Sequence, residues 1–424
     1  MNRSLSLIIT ASILAFLNFS HSLFAAPLVS IGDNADIYFN GSTSLRYDSN
    51  VFRNEDGEEE DLIWTISPGF EFDLGRGLSN ADFSIITRYD IRRYDDLDGL
   101  DTELFSIEAA GSYTGTRLDL SASASFEEEK AATGDLQIQD LVESDRTSAK
   151  IDVEYELSPK LSFGTGIAYA KKDYKTFQEF FADRESYTLP FDIFYELTPK
   201  LDLILGYQYR LDKVDGTEGR ITDQFQLMGQ NVVETLDTSS YDADNHFFNV
   251  GLRGDLLPKL VGSFRAGYRL RDSDDRTLQA TTIIDGVVQP LPPTGTLDGR
   301  SNGSLGIDAD LTWLTSPKLT TSVGLSRDFG IGSAGESTER TGFDLILNYA
   351  INPNFSTVAL ASYSYVDFRS GREDDTYRAG LRLNYVPNEY WSFGTGYNLS
   401  DTDSNTVGRS NTSHILDISA SLRY

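Results

Sequence analysis

The chain contains no cysteine. Disulfides, thiolate metal centres and thiol nucleophiles are therefore excluded, and the absence suits an exported protein that needs no disulfide framework. Histidine is nearly as scarce, with three in 424 residues. Only His246 and His414 lie beyond the first 26 positions, and neither sits in a nucleophile or zinc-binding pattern. Basic residues are outnumbered, 36 Lys and Arg against 65 Asp and Glu, for a formal net charge of −29, which argues against a nucleic-acid partner. There is no phosphate-binding loop and no dinucleotide fingerprint. Beyond the N-terminal segment, no stretch reaches the ~20 apolar residues that a membrane-spanning helix requires. The expectation is a protein that is not an enzyme and has no resident cofactor.

What the chain does have begins with a leader. Met1-Asn-Arg3 is a positive start, Leu5 to Leu17 an apolar stretch, and Ser22 to Pro27 a small-residue exit. Together they read as a secretory signal over residues 1–25, cut near Ala25 or Ala26, ahead of a single domain over 27–424.

That domain is punctuated by one recurring turn: Ser158-Pro-Lys160, Thr198-Pro-Lys200, Leu257-Pro-Lys259 and Ser316-Pro-Lys318. Proline cannot donate a ladder hydrogen bond and its fixed φ suits a tight turn, so it falls at strand ends. Asn352-Pro-Asn354 and Val386-Pro-Asn388 look like variants. The stretches between turns alternate with period two. Leu201, Leu203, Leu205, Tyr207, Tyr209 and Leu211 share one face, opposite Asp202, Gly206, Gln208, Arg210 and Asp212; Ile204 is the apolar exception. Such strands have one greasy and one wet face. Exported and without a spanning helix, a chain of this pattern must bury its backbone by closing into a barrel.

Short turns are expected at residues 75–80, 114–116, 158–160, 198–200, 257–259, 316–318, 352–354 and 387–389. Longer, more acidic connections fall at 51–59, 95–101, 129–143, 176–182, 215–241, 273–298, 332–338, 370–374 and 404–409. Eight short turns and nine long loops give an all-β, closed antiparallel transmembrane barrel of about 18 strands. Short periplasmic turns, long extracellular loops and an even strand number are the asymmetry of Gram-negative outer-membrane barrels, which places both termini on the periplasmic side. The final strand, Leu416 to Tyr424, alternates to a terminal aromatic. Leu422 and Tyr424 thus resemble the β-signal that such barrels show to their assembly machinery.

Tyr47-Asp48-Ser49-Asn50-Val51-Phe52-Arg53 resembles the signature of the putative β-barrel porin 2 family. The resemblance implies an outer-membrane barrel, several relatives of which accompany capsular or exopolysaccharide production. Read from the residues alone, the same block is a turn: Asp48 and Asn50 tolerate turn conformations, and Arg53 pairs with a loop acid.

If the apolar set faces lipid, the lumen receives Arg46, Arg88, Arg92, Arg210, Arg253, Arg265, Arg269, Arg271, Arg378 and Arg382, with Asp152, Glu154, Asp308 and Asp310 among the acids. Water inside tolerates these charges, whereas an arginine facing lipid near the midplane costs roughly 2–4 kcal/mol. The arginines form either a track for anionic sugars, since guanidinium binds carboxylate and phosphate bidentately, or salt-bridged ladders that stiffen the wall. The acidic loops are solvated charge or a site for Ca²⁺ or Mg²⁺ bridging to lipopolysaccharide phosphates. In the two longest loops, Ile283-Ile284 and Val287-Val288 around Asp285-Gly286 read as a small hairpin, projecting outward or folded in to constrict the pore.

Three functions follow. The first is a channel taking part in capsular or extracellular polysaccharide export, partnered by lipids, lipopolysaccharide, the barrel assembly machinery, polysaccharide and periplasmic export components. The others are a general diffusion porin and a structural or adhesive barrel.

Overall fold

The computed structural model describes residues 26–75, 79–133, 140–227, 230–285, 287–290 and 295–424. The leader reading falls on residues 1–25, outside the described residues, as do 76–78 of the first short turn, 134–139 of the third long loop, and Met228, Gly229, Gly286 and 291–294 of the two longest.

The main sheet has nineteen strands. One, Val29–Ile31, is a three-residue hairpin arm on the next strand; the other eighteen form the wall. We number these β1 (Ala35–Asp48), β2 (Asp61–Leu74), β3 (Ala81–Tyr94), β4 (Thr102–Thr114), β5 (Leu118–Ala131) and β6 (Val142–Ser158). Next come β7 (Leu161–Tyr174), β8 (Arg184–Thr198), β9 (Leu201–Val214), β10 (Tyr241–Leu257), β11 (Leu260–Ser273) and β12 (Ser301–Ser316). The last are β13 (Leu319–Ile331), β14 (Ser337–Ala350), β15 (Phe355–Phe368), β16 (Glu373–Tyr385), β17 (Trp391–Ser404) and β18 (Asn411–Arg423). Each pairs antiparallel with its sequence neighbours, and β18 returns to β1 through Asn40↔Arg423 to Asp48↔Ile415. The sheet is thereby closed, with no edge left to satisfy.

Every expected turn and loop lies between the strands it was expected to join. The four Pro-Lys pairs are two-residue connections, and a register shift beside each relieves the sharp reversal. At the later variants, which keep Pro353 and Pro387, an asparagine side chain adds to proline's preorganisation. Asn352 Oδ1 accepts from the backbone N–H of Asn354 at 2.9 Å and Phe355 at 3.0 Å, and Asn388 Oδ1 does the same for Tyr390 and Trp391.

The faces sort as the alternation requires. Leu205, Val250, Leu305, Leu381 and Ile418 are outward and exposed, while Ile204, Phe194 and Asp192 on the opposite face are buried. Outward aromatics gather at two levels. Tyr187 and Tyr195 on β8 stand eight positions apart, as do Tyr377 and Tyr385 on β16, which is about 26 Å of strand. With strand tilt this brackets an apolar band of about the height of a membrane barrel's. His246 and His414 both belong to the aromatic level nearer the long loops. Each shares a hydrogen bond through Nδ1 with a neighbouring tyrosine hydroxyl, Tyr207 at 2.9 Å and Tyr397 at 2.8 Å.

At the long-loop end a second sheet of five strands is built from the two longest loops: Arg220–Leu227, Gln230–Thr238, Arg276–Ile284, Val287–Pro290 and Gly295–Leu297. The hairpin expected around Asp285 is there, with Ile284 opposite Val287.

Candidate functional site

The inward charges divide into two unlike walls. Neighbouring strands lie ~4.8 Å apart, so strands four apart are separated by about 19 Å along the sheet, further than an arginine and an aspartate can span together. Yet Arg210 on β9 reaches Asp328 on β13 at 2.7 Å and the carbonyl of Phe329 at 2.6 Å. Arg253 on β10 forms a bidentate pair with Glu154 on β6 at 2.7 and 2.6 Å. At the rim, Arg184 of β8 donates to the carbonyls of Ile331 and Gly332. The cross-section is therefore pinched between β6 and β13.

Within that bend each arginine of β11 has a carboxylate partner, although Nε of Arg269 and Nε and Nη2 of Arg271 are buried without a hydrogen bond. Arg265 grips Asp192 of β8 with both nitrogens, at 2.7 and 3.1 Å. Gly206 of β9 makes room, since a Cβ there would stand 2.5 Å from the Asp192 carboxylate. Arg269 meets Asp328 at 3.0 Å, and Arg271 meets Asp212 of β9 at 3.3 Å and Asn245 of β10 at 3.2 Å. Arg271 is 2% exposed and Arg269 7%. Aromatic faces are capped as well: Arg253 lies 3.4 Å from the Phe194 ring centroid and Arg269 3.7 Å from that of Phe247. The rim continues the seal. Ala182, Val214, Tyr241 and Ala243 pack together with Ile331, and the Tyr241 hydroxyl donates to Gly335 at 2.9 Å. Gly335 has φ +72, and a Cβ there would lie 2.9 Å from both Ala182 and Val214.

From β14 round to β3 the picture reverses. Arg340 and Asp344 on β14, Arg378 on β16 and Arg46 on β1 alternate with outward apolar residues, so they point inward, yet all four are exposed to water. Charged side chains that face the lumen and remain hydrated mark an open aqueous space. Among the described residues, Arg46, Arg340 and Arg378 have no carboxylate within ion-pair distance. Their neighbours are tied more loosely than on the pinched side: Arg92 donates to the Lys130 carbonyl at 3.3 Å, and Arg88 lies 3.0 Å from Asp90. Arg382 reaches Asp417 at 2.7 Å and Ser419 at 2.6 Å over Gly394 and Gly396, where any Cβ would collide with it or with Asp417.

The remaining sequence candidates fall between these extremes. Asp152 pairs with Lys150 on its own strand at 2.8 Å, both well exposed. Asp308 and Asp310 of β12 face inward beside the pinched side, Asp308 within the fields of Arg265 and Arg269. The sequence reading did not single out Arg340, Asp212, Asp328 or Asp417. Arg340 shares the parity of Asp344, so its direction was readable; the partners of Asp212 and Asp328 depend on which strands meet across the lumen.

Tyr47 to Arg53 is a fastening rather than a lining. Asp48 takes both terminal nitrogens of Arg53 at 2.8 Å, the backbone N–H of Asn50 at 3.1 Å and the hydroxyl of Ser413 at 3.0 Å. Arg53 thus pairs within the block, on the last residue of β1, rather than with a separate loop acid. Asn50, fully buried, donates to the carbonyls of Asn54 at 2.8 Å and Thr412 at 3.1 Å. Val51 and Phe52 pack with Ile63, Tyr94, Leu100 and Leu141, joining the first three loops. At the opposite end of the same seam, the N–H of Tyr424 donates to the Phe39 carbonyl at 2.9 Å, and Leu422 pairs with Gly41. The first and last strands are therefore clasped at both ends.

Outside the wall, Asp183 in the loop before β8 is half-buried. Burial pushes its carboxyl above the ordinary range, opposed by the N–H of Tyr174, which donates to it at 2.7 Å, and reinforced by Asp173 and Asp215. Among the described residues no group of three or more His, Asp or Glu is placed to hold a metal ion.

Comparison with known proteins bears on the barrel as a whole. The family model described as "Putative beta-barrel porin 2" matches residues 300–424, the segment from β12 onward, which does not include Tyr47 to Arg53. No curated protein matches the chain. Among solved structures, the barrel is similar to the ferric yersiniabactin uptake receptor of Yersinia pestis, with 10% identity and a TM-score of 0.42 over 89% of this chain and 62% of that one. It is also similar to OpdK of Pseudomonas aeruginosa, solved with vanillate, with 11% identity and a TM-score of 0.40 over 92% of this chain and 99% of that one. OccAB4 of Acinetobacter baumannii gives 11% identity and a TM-score of 0.40 over the same shares. The closed eighteen-stranded wall, its two aromatic levels and the family match over β12 to β18 make the protein a porin-like β-barrel of the outer membrane.

Proposed function

We propose that this barrel is an aqueous channel of the outer membrane that takes part in export of capsular or extracellular polysaccharide. One observation carries the channel reading: Arg46, Arg340, Arg378 and Asp344 face inward and are still exposed to water, so the half of the lumen from β14 to β3 is wet. The polysaccharide cargo rests on the resemblance of Tyr47 to Arg53 alone; the family match of residues 300–424 supports the porin-like barrel and not its cargo. In this reading the short turns and both termini face the periplasm, the long loops and their five-stranded sheet face outward, and direction comes from periplasmic and inner-membrane partners. Sugars meet hydroxyls and charges rather than bare aromatic faces, because Tyr38, Phe194 and Phe247 each carry a guanidinium on the ring.

Conductance of the purified barrel in a planar bilayer, with acidic and neutral oligosaccharides added, tests both parts. Steady current interrupted by saccharide supports the conduit. Steady current indifferent to every saccharide supports the second reading, a diffusion porin, for which the same wet half-lumen speaks. Absence of current from folded protein overturns the channel.

A further inference from the structure

The sequence places inward arginines on β1, β3, β9, β10, β11 and β16, but burial and pairing remove some of them from service. Those of β11 are neutralised by Asp192, Asp212 and Asp328. The set that stays exposed and without a carboxylate partner is Arg340, Arg378 and Arg46. Their levels can be compared through strand register. Followed along paired residues to β16, Arg340 arrives at Asp374 by way of Val366, and Arg46 arrives at Arg382 by way of Asp417 and Gly396, with Arg378 midway between. Strands tilted by about 40° displace a level line by about one residue per strand. The Arg46 offset, four residues over three strands, is close to that size, and the Arg340 offset, four over two, exceeds it by about two residues, so the three guanidiniums stand within roughly 5–7 Å of one height. Two strands separate Arg340 from Arg378 and three separate Arg378 from Arg46, which with the four-residue offsets amounts to about 16 and 20 Å along the sheet. Arg340 and Arg53 are among the charges that act on Arg378, and Asp344 is the one acid that does.

Each of these guanidiniums lies outside ion-pair distance of a carboxylate, with Asp344 acting on Arg378 and Asp417 and Asp48 acting on Arg46 from further off, so each remains open to an anion even inside a chain of net charge −29. Guanidinium presents a planar fork suited to carboxylate and phosphate. The spacing favours a solute whose charges are spread along its length over a single small anion, which would engage one arginine at a time. We propose that Arg340, Arg378 and Arg46 form an anion-binding arc of the lumen that takes oligomeric solutes bearing several carboxylates or phosphates. For transport this rests on the channel reading above; binding itself does not require conduction.

Two measurements separate the arc from that reading. In planar bilayers under a salt gradient, the reversal potential of the wild type is compared with that of a R46Q/R340Q/R378Q variant. The variant should shift toward cation preference, and block by oligogalacturonate should weaken by about tenfold or more, equivalent to about 1.4 kcal/mol, with maltodextrin unaffected in both. Independently, calorimetry on the full-length barrel in detergent should show oligogalacturonate binding that the variant loses, whether or not the pore conducts. Oligophosphate run in parallel decides between the two anion chemistries, and retained heat-modifiable migration shows that the variant is folded. Wild-type and variant barrels that bind and block alike, or a folded wild type that binds neither anion, would overturn the arc. Binding without conductance would uphold the arc and defeat the channel.

Discussion

The two halves of this barrel use the same residue types to opposite ends. Between β6 and β13, arginines meet aspartates and a glutamate around the bend, from the fully buried Arg271–Asp212 pair to the partly exposed pairs of Asp328 and Glu154. From β14 to β3, arginines at equivalent inward positions stand in water. The difference lies in curvature. Where the wall bends tightly enough for strands four apart to face one another within side-chain reach, inward charges pair across it; from β14 to β3 the inward pairs between strands, Arg382 with Asp417 and Arg423 with Glu71, join strands only two apart, and Arg46, Arg340 and Arg378 stay outside them. Buried pairs make one half rigid, and unpaired charge leaves the other available.

The largest expected effect of breaking this contrast is at Asp328, the acid shared by Arg210 and Arg269. Asp328→Ala leaves Arg269 without an ion-pair partner and Arg210 with Asp212 and the Phe329 carbonyl alone, and because Asp328 is itself 34% exposed the loss should be about 3 kcal/mol, the lower end for a broken buried pair, read as a lowered urea midpoint. Asn50→Ala comes next. It removes two buried donor contacts and leaves the Thr412 and Asn54 carbonyls short of a partner, at a cost of about 1–3 kcal/mol, with protease cleavage near residue 50 as a second reading of an opened seam. Arg378→Gln, on the open half, should move the same urea midpoint by no more than about 0.5 kcal/mol while changing ion selectivity; a large loss of stability would show that the wall there is as tightly coupled as its opposite.

The smallest effect is at Asp183, beside the sealed rim. Its carboxyl holds a proton to higher pH in the folded barrel than in the unfolded chain. The folded state therefore gains from this group as pH falls, and loses that gain as pH rises through the window just above the ordinary carboxylate range. Asp183→Asn should flatten the pH dependence of the thermal midpoint there and leave it unchanged or slightly higher at neutral pH, because an amide oxygen still accepts from Tyr174.

Much of this was legible without coordinates. Period-two alternation in segments such as Leu201 to Asp212 gave the faces, and the recurrent Pro-Lys pairs gave the reversals, because proline's missing donor and fixed φ act locally whatever surrounds them. The acidic, irregular stretches gave the nine loops for a similar reason. Tyr47 to Arg53 was visible as an unusual block, but its work was not: Asp48 and Asn50 look like turn residues, and only the return of Thr412 and Ser413 alongside them makes a clasp. Arg340 had the right parity and was passed over, since a single arginine among Ser337, Thr338 and Glu339 has no distinguishing neighbour.

Sequence alone determined strand number, the direction each side chain faces, the turns and the closure of the sheet, because these follow from backbone chemistry and near-neighbour periodicity. Tertiary structure decided which inward arginines are spent on ion pairs and which remain in water. That choice depends on the shape of the cross-section, which sets distances between strands four apart in the wall and more than a hundred residues apart in the chain, as for Arg210 and Asp328. No local pattern records it.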